Sequence, residues 1–147
     1  MTLSVRLASS RLGSAQGRGE DGSSVLRGGG REYRGRPASW TLRLALNARS
    51  PQYELIELIE PLEGPSIHAD WLAHRGEGLH HVGYVVASLE QTTAEMEAAG
   101  HRAIARIHSF GAAGDGAAAY YDTADAIGFL VQAVEPPNQM PATDFTL

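Results

Sequence analysis

Two adjacent histidines, His80 and His81, stand near the start of the stretch GEGLHHVGYVV, which has the apolar character of a β-strand. Imidazole binds divalent metals and accepts protons near neutral pH, so either side chain could do chemistry. Side chains alternate between the two faces of a strand, which predicts that His81 and Gly83 point one way and His80 points the other. We therefore expect only one of the two histidines to enter a cleft, and we expect His80 to be structural or at the surface.

The sequence contains no cysteine, and this limits the metals that it can hold. Any ion must be bound by histidine, carboxylate or amide oxygen, which favours a borderline or hard divalent ion. No apolar run reaches the length of about 18 residues expected of a membrane helix, and no secretory signal is visible. A soluble, cytoplasmic protein without a membrane partner is therefore expected.

The charges are distributed unevenly along the chain. Residues 1–36 carry seven arginines against three acidic residues, whereas residues 37–147 carry five arginines against fourteen acidic residues. A basic, glycine-rich segment of this kind is compatible with binding to nucleic acid or to an anionic ligand. Because it has almost no periodic apolar pattern, it is better interpreted as a poorly ordered or atypical segment, and we expect no nucleic-acid partner.

The elements that must position the histidines are clearest in the second half of the chain. The residues between Leu79 and Glu135 predict the order β-α-β-β-β. Its helix begins after Ser88, which forms a capping box with Gln91, and ends at Gly100. The predicted inward stripe of this helix is Leu89, Thr93, Met96 and Ala99.

The first half of the chain contains weaker signals. ASWTLRLAL alternates apolar and polar residues and predicts a strand, and QYELIELIE is interpreted as a second strand because Pro51 and Pro61 bound it. GPSIHADWLAHRG predicts a connecting helix with Ser66 as the N-cap and Gly76 as the stop.

The predicted order, together with ELIEPLEG, GEGLHHVGYVV and GFLVQAVEPP, resembles the vicinal oxygen chelate superfamily. Its members include glyoxalase I, methylmalonyl-CoA epimerase and extradiol dioxygenases, and the resemblance is closest to the epimerase and glyoxalase-like branch. It covers residues 33–137. It implies an α+β fold of paired βαβββ modules around one divalent metal, with each module donating one ligand from its first strand and one from its last.

The resemblance also implies the site residues. His81 matches the ligand on the first strand of the second module, Glu57 matches the ligand on the last strand of the first module, and Gln132 takes the position of a glutamate that is both ligand and catalytic base. The implied metal site is thus His81, Glu57 and Gln132, holding Co, Mn, Ni, Zn, Fe or Mg. An amide cannot act as a general base, so Glu57 is the nearest carboxylate for that role.

The first module is expected to be degenerate. TLSVRLA is at best a short strand with Ser and Arg where a ligand should stand, and no helix is visible before residue 33. A natural variant and an altered start or reading frame both remain open. The expected organisation is an atypical segment, a remnant of the first module, a connector helix, the second module and a tail, at residues 1–32, 33–62, 63–77, 78–137 and 138–147. The sheet edges that such a module leaves exposed predict a homodimer.

Other polar and aromatic side chains are given structural interpretations. Four histidines without ligand-like spacing are expected to be solvated: His68, His74, His101 and His108. Tyr120, Tyr121 and Phe129 are expected in the core, although they could line an acyl pocket. Arg34 and Arg36 could meet a CoA phosphate or a substrate carboxylate, but exposed loop charges are the default.

Three functions follow from the resemblance. The first is a metal-dependent isomerase or lyase, methylmalonyl-CoA epimerase-like, that moves a proton next to the carbonyl of an acyl-CoA thioester or a 2-oxo compound. The second is a non-catalytic binding protein of the bleomycin-resistance type. The third is an extradiol dioxygenase, which needs two histidines and one carboxylate on iron. Because two of the four expected ligand positions depart from the pattern, weak or absent activity is part of the first hypothesis.

Overall fold

The computed structural model describes residues 3–8, 23–26, 30–46, 56–110 and 113–138. The strands within these ranges are β1 Leu3–Ala8, β2 Ser23–Leu26, β3 Arg31–Tyr33, β4 Arg36–Ala38, β5 Thr41–Leu46, β6 Ile56–Glu63, β7 Gly78–Val85, β8 Ala103–Phe110, β9 Gly116–Tyr121 and β10 Leu130–Glu135. The helices are α1 Ile67–Arg75, α2 Leu89–Ala98 and α3 Ala124–Ile127. None of the helices in this part of the chain is long and apolar enough to cross a membrane.

The described strands form one mixed sheet in the order β2-β5-β6-β1-β7-β10-β9-β8-β3-β4. Its two halves repeat one pattern, because β1 runs parallel to β6, β7 runs parallel to β10, and β1 joins β7 in antiparallel fashion. The predicted β-α-β-β-β order is observed from β7 to β10, with the unpredicted short helix α3 before the last strand. A mixed sheet with separate helices confirms the α+β fold class.

The weak strand signal in TLSVRLA corresponds to β1, which lies at the centre of the sheet between β6 and β7. We predicted that the first module has no helix before residue 33. Most of the residues in question lie between β1 and β2, outside the described part of the chain. The same holds for residues 52–55 of the predicted strand QYELIELIE and for residues 139–147 of the predicted tail.

Sequence analysis missed the hairpin of β3 and β4, which adds to the edge of the sheet next to β8. Arg34 and Gly35 have φ angles of 51° and 74°. Two successive residues with positive φ make the tight turn whose twist matches that of the flanking strands, and glycine at the second position lowers its cost. The hairpin brings Arg31 and Tyr33 beside the second half of the sheet.

Helix α2 covers the outer face of the sheet. Leu89 packs there with Ala119, Tyr121 and Ala133. The predicted cap is half correct: the Ser88 hydroxyl accepts a hydrogen bond from the Gln91 amide at 3.2 Å, whereas the Gln91 side chain donates to Glu95. The prediction that Ala99 points inward is wrong, because the helix ends there and Ala99 is exposed.

The inner face of the sheet is concave and lies under α1. Ile67 and Trp71 of this helix pack with Tyr120 and Leu130. Trp40, Leu42 and Ile59 of the first half form a cluster that Tyr33 and Ile107 of the second half complete. The two halves of the sheet therefore curve towards each other and enclose the space between them.

The caps of α1 fix its position over this space. The Ser66 hydroxyl accepts a hydrogen bond from the Ala69 amide at 3.1 Å, as the N-cap prediction requires. Gly76 ends the helix with φ 74°, and its amide donates to the Leu72 carbonyl. Since Ser66 is fully buried, the first turn of α1 is anchored directly against the sheet.

Candidate functional site

The pairing of β7 departs from simple alternation at the two histidines. Arg6 of β1 is opposite His81, but the next residue, Leu7, is opposite Leu79. His80 is therefore an extra residue, a β-bulge, and a bulge redirects side chains relative to the regular pleat. His80 and His81 are both completely buried. The prediction that only one of them enters the interior is therefore wrong, and so is a surface position for His80, whereas a structural role for His80 stays a prediction.

A third histidine joins them from α1. His68 was expected to be solvated, but it is 1% exposed and its ring stacks on that of His80 at 4.6 Å between centroids. The signal in the sequence was its helical spacing, since His68 shares the apolar stripe of Trp71 and Leu72 at intervals of three and four residues. A histidine on the inward stripe of a capped helix is carried to the core with its neighbours.

We call His68, His80 and His81 the histidine cluster. One ring nitrogen from each lies within 4.8 Å of the other two. Trp71 and Tyr120 bound the cluster, with ring centroids 5.2 Å from His80 and 5.0 Å from His81 respectively. Helix α1 and strand β7 thus hold three imidazoles together in a buried setting.

The contacts of His80 are consistent with one neutral tautomer. Its Nε2 lies 3.4 Å from the Ile67 carbonyl oxygen, which can only accept, so His80 carries its proton on Nε2. Its Nδ1 then presents a lone pair to Nδ1 of His81, 2.8 Å away, and His81 is the donor of that hydrogen bond. Two Nδ1 atoms at this distance repel each other unless a proton or a metal ion stands between them.

The other predicted ligands lie on the same inner face as His81. Glu57 and His81 are both register partners of Arg6, and Gln132 is opposite Gly83, two residues beyond His81. Residues directly opposite each other in a sheet share a face. Glu57 is 4% exposed and Gln132 is 2% exposed. Their role as metal ligands stays a prediction, and Glu57 is not in the histidine cluster.

The buried amide of Gln132 has an oxygen, Oε1, without a hydrogen-bond partner among the described residues. Burying such an acceptor without a partner costs about 1–3 kcal/mol, which a ligand or an ion would recover. Glu60, on the same strand as Glu57, is only partly buried and forms an ion pair with Arg43.

Three histidines lie away from the cluster. His74 and His108 are exposed, as predicted, and Nε2 of His108 lies 3.3 Å from Glu32. His101 is partly buried and its Nδ1 lies 3.1 Å from the Asp122 carbonyl. The tyrosines of β9 are core residues on opposite faces: Tyr120 contacts His81, whereas Tyr121 packs under α2.

A depression of about 150 Å³ opens on the surface beside α1. Ile67, Trp71 and Leu130, which belong to the core under α1, line it together with Arg34 and Arg75. Arg34 contacts Asp70 at 3.0 Å, and hydrogen bonds to Tyr33 and then to Asp70 raise its pKa. Arg75 contacts Asp125 at 2.6 Å, so both arginines that line the depression are paired with an aspartate.

Sequence analysis also missed the buried cation Arg31. It is 5% exposed, it donates a hydrogen bond to the Trp40 carbonyl, and its guanidinium lies 5.0 Å from the Trp40 ring. Burial lowers its pKa. No acidic side chain among the described residues forms an ion pair with it, and a guanidinium group binds carboxylates and phosphates.

Comparison with protein families gives a match, whereas comparison with curated proteins does not. A protein-family model described as the glyoxalase/bleomycin resistance protein/dioxygenase superfamily matches residues 8–121. No curated protein matches the sequence significantly.

Solved structures share the architecture at low sequence identity. They include a hypothetical protein, BH1468, from Bacillus halodurans, with 22% identity, a TM-score of 0.54, and coverage of 94% of this chain and 95% of that chain. Methylmalonyl-CoA epimerase from Mycobacterium tuberculosis has 19% identity, a TM-score of 0.52, and coverage of 97% and 91%. A Streptomyces coelicolor methylmalonyl-CoA epimerase in complex with 2-nitronate-propionyl-CoA has 17% identity, a TM-score of 0.53, and coverage of 94% and 95%. At these identities the likeness shows the fold.

Proposed function

The chain belongs to the glyoxalase/bleomycin resistance protein/dioxygenase superfamily, and on that premise we propose that it is a metal-dependent enzyme moving a proton next to a carbonyl. The proposed substrate is an acyl-CoA thioester or a related 2-oxo compound, as for a methylmalonyl-CoA epimerase. The observation that carries the proposal is the burial of His81, Glu57 and Gln132 on one inner face of the sheet.

The residues at this face fit a divalent ion. His81 supplies a neutral imidazole, Glu57 a carboxylate, and Gln132 an amide oxygen that has no hydrogen-bond partner among the described residues. This mixture of nitrogen and oxygen donors suits Co, Mn, Ni, Zn, Fe or Mg. A bound ion would polarise the substrate carbonyl and stabilise the negative charge that develops on its oxygen.

Glu57 is the residue that we propose takes the proton. It is the carboxylate on the inner face nearest in register to His81, two strands away. Gln132 lies on the other side of His81, on β10. Inverting a stereocentre requires a proton donor on the face opposite the base, and an amide cannot supply one. We therefore expect exchange of the proton with solvent to run faster than epimerisation.

Arg31 is the feature of the surroundings that supports an anionic substrate, because it is buried and no acidic side chain among the described residues pairs with it. Arg34 and Arg75 line the depression beside α1, where each is paired with an aspartate. Guanidinium groups bind carboxylates and phosphates with two parallel hydrogen bonds. Two of the structural relatives are epimerases with CoA compounds in their complexes, methylmalonyl-CoA in one and 2-nitronate-propionyl-CoA in the other.

Deuterium incorporation tests the proposal. The metal-loaded protein is incubated with 2-methylmalonyl thioester in heavy water, and loss of the proton at carbon 2 is followed by NMR. Glu57→Gln is expected to lower the exchange rate by about 100-fold or more, since a positioned base contributes about 10²–10⁴-fold. Glu63→Gln, an exposed glutamate on the same strand, is the matched control. Exchange that is insensitive to Glu57→Gln would remove that residue from the proposed role.

Binding without catalysis is the second candidate function, and the amide at Gln132 favours it because a site without a second acid or base can hold a ligand unchanged. Calorimetry with the same thioester distinguishes the two functions. Saturable binding with no proton exchange in the metal-loaded protein would favour the binding protein over the enzyme.

A further inference from the structure

The histidine cluster is itself a candidate metal site. We infer that His68, His80 and His81 together form a three-imidazole metal site, in which helix α1 supplies one ligand and the bulge of β7 supplies two. The inference deepens the proposed function and rests on it for the use of a metal ion. It differs in that His68 and His80 replace Glu57 and Gln132 as ligands beside His81, which narrows the class of metal.

The distances favour three nitrogen ligands on one ion. Two nitrogens bound to one zinc ion at about 2.0–2.1 Å stand about 3.3 Å apart. The ligand atoms of the cluster lie within 4.8 Å of one another, and Nδ1 of His80 and Nδ1 of His81 are 2.8 Å apart. To become a ligand set, the Nδ1 atoms of His80 and His81 must separate by about 0.5 Å, and ligand atoms that stand up to 4.8 Å apart must approach by up to about 1.5 Å.

Binding of a metal ion to the histidine cluster requires no net release of protons to solvent. Without metal, the proton on Nδ1 of His81 bridges to Nδ1 of His80. When an ion enters, that proton moves to Nε2 of His81, and both Nδ1 lone pairs face the ion. His80 keeps its proton on Nε2, where it donates to the Ile67 carbonyl at 3.4 Å. A metal-binding histidine usually makes such a bond with its other nitrogen, which holds the ring in place.

This ligand set has a chemical consequence. Three neutral imidazoles leave the full charge of a divalent ion in a buried setting, where it stabilises negative charge strongly. Glu57 is then not needed as a ligand and remains available to take a proton. Imidazole donors also select zinc, cobalt, nickel or copper over magnesium and calcium, which prefer oxygen.

Cobalt(II) titration tests the site without using activity. We expect one equivalent to bind with the visible absorption bands of nitrogen-ligated cobalt, and millimolar magnesium not to displace it. His68→Leu, which fills the space of the ring, is expected to weaken binding by at least about 100-fold, the upper end of the effect of losing an outer partner of a ligand. His74→Ala, an exposed histidine on the same helix, is the control that should leave binding unchanged.

If His68→Leu does not fold, NMR of the unaltered protein tests the same metal site. In long-range proton–nitrogen spectra, zinc should shift the ring nitrogens of His68, His80 and His81 and leave those of the other three histidines in place. Tight cobalt binding that His68→Leu does not change, or zinc shifts confined to His81, would overturn the inference while leaving the proposed function intact. Binding that depends on His68 without proton exchange would support the inference and count against the proposed function.

Discussion

Replacing Gln132 by glutamate is the most direct test of how the inner face works. The side chain is 2% exposed, and its Oε1 has no hydrogen-bond partner among the described residues, so a carboxylate of nearly the same shape fits there. Strands β6 and β10 are three strand spacings apart, about 14 Å along a flat sheet, and Gln132 and Glu57 stand on either side of His81. The curvature of the sheet turns both side chains towards the space between them.

We expect Gln132→Glu to raise the rate of epimerisation by about 10²–10⁴-fold, which is the usual contribution of a positioned acid or base. The proton-exchange rate should rise less, because Glu57 already serves that step in the parent protein. The gain should require a bound divalent ion. Circular dichroism of the thioester follows epimerisation, and NMR in heavy water follows exchange in the same sample.

The same substitution should lower stability when no metal is present. Burying a carboxylate without a partner in place of a neutral amide should cost at least about 1–3 kcal/mol in the free energy of unfolding, because an unpaired charged group loses more hydration than a neutral one. Divalent metal should recover this loss, because an ion that binds only the folded state stabilises it. Gln91→Glu makes the same chemical change on the exposed face of α2 and should alter the free energy of unfolding by about 0.5 kcal/mol at most.

One result would refute this reasoning. If Gln132→Glu folds, binds metal and leaves epimerisation at the rate of the parent protein, then the amide at this position does not limit the reaction. The roles proposed for Glu57 and Gln132 would then have to be abandoned.

Three further predictions concern the fold that holds the site. Tyr121→Phe removes a buried 2.8 Å hydrogen bond to Thr93 and should cost about 1–3 kcal/mol in urea unfolding. Because burial raises the pKa of Tyr121, the parent protein should lose stability above about pH 10, where the unfolded chain ionises first. This loss should be smaller in the variant, where Tyr33, whose pKa is also raised by burial, still contributes to it. Gly64→Ala places a Cβ against the Ser39 carbonyl oxygen at φ 78° and should cost at least about 1–3 kcal/mol in thermal unfolding. Light scattering should report a homodimer, since strands β2 and β4 end the described sheet.

Each of these has a clear contrary outcome. Equal alkaline stability of Tyr121→Phe and the parent protein would show that this phenol ionises as freely in the fold as in the unfolded chain. A melting temperature unchanged by Gly64→Ala would mean that the Ser39 segment moves without cost. A monodisperse monomer would contradict the dimer.

Local sequence determined the second module and the caps. The alternation in GFLVQAVEPP and in LHHVGYVV is enough to place Gln132 and His81 on strands, because one face of each strand is buried and the period of two follows from the pleat. Ser66, Gly76 and Ser88 were predicted as helix boundaries because their effects act within one turn. The superfamily was predicted from these sequence motifs and from their order along the chain.

Pairing between distant strands decided the rest. The bulge at His80 exists only because β1 pairs with β7, and no count along β7 alone can reveal the extra residue. His68 joins the site because α1 lies over that bulge, and Arg31 is buried because the hairpin of β3 and β4 adds to β8. The sequence alone determined which residue types could bind a metal, and the tertiary structure decided which of them meet, since long-range packing rather than local pattern sets those distances.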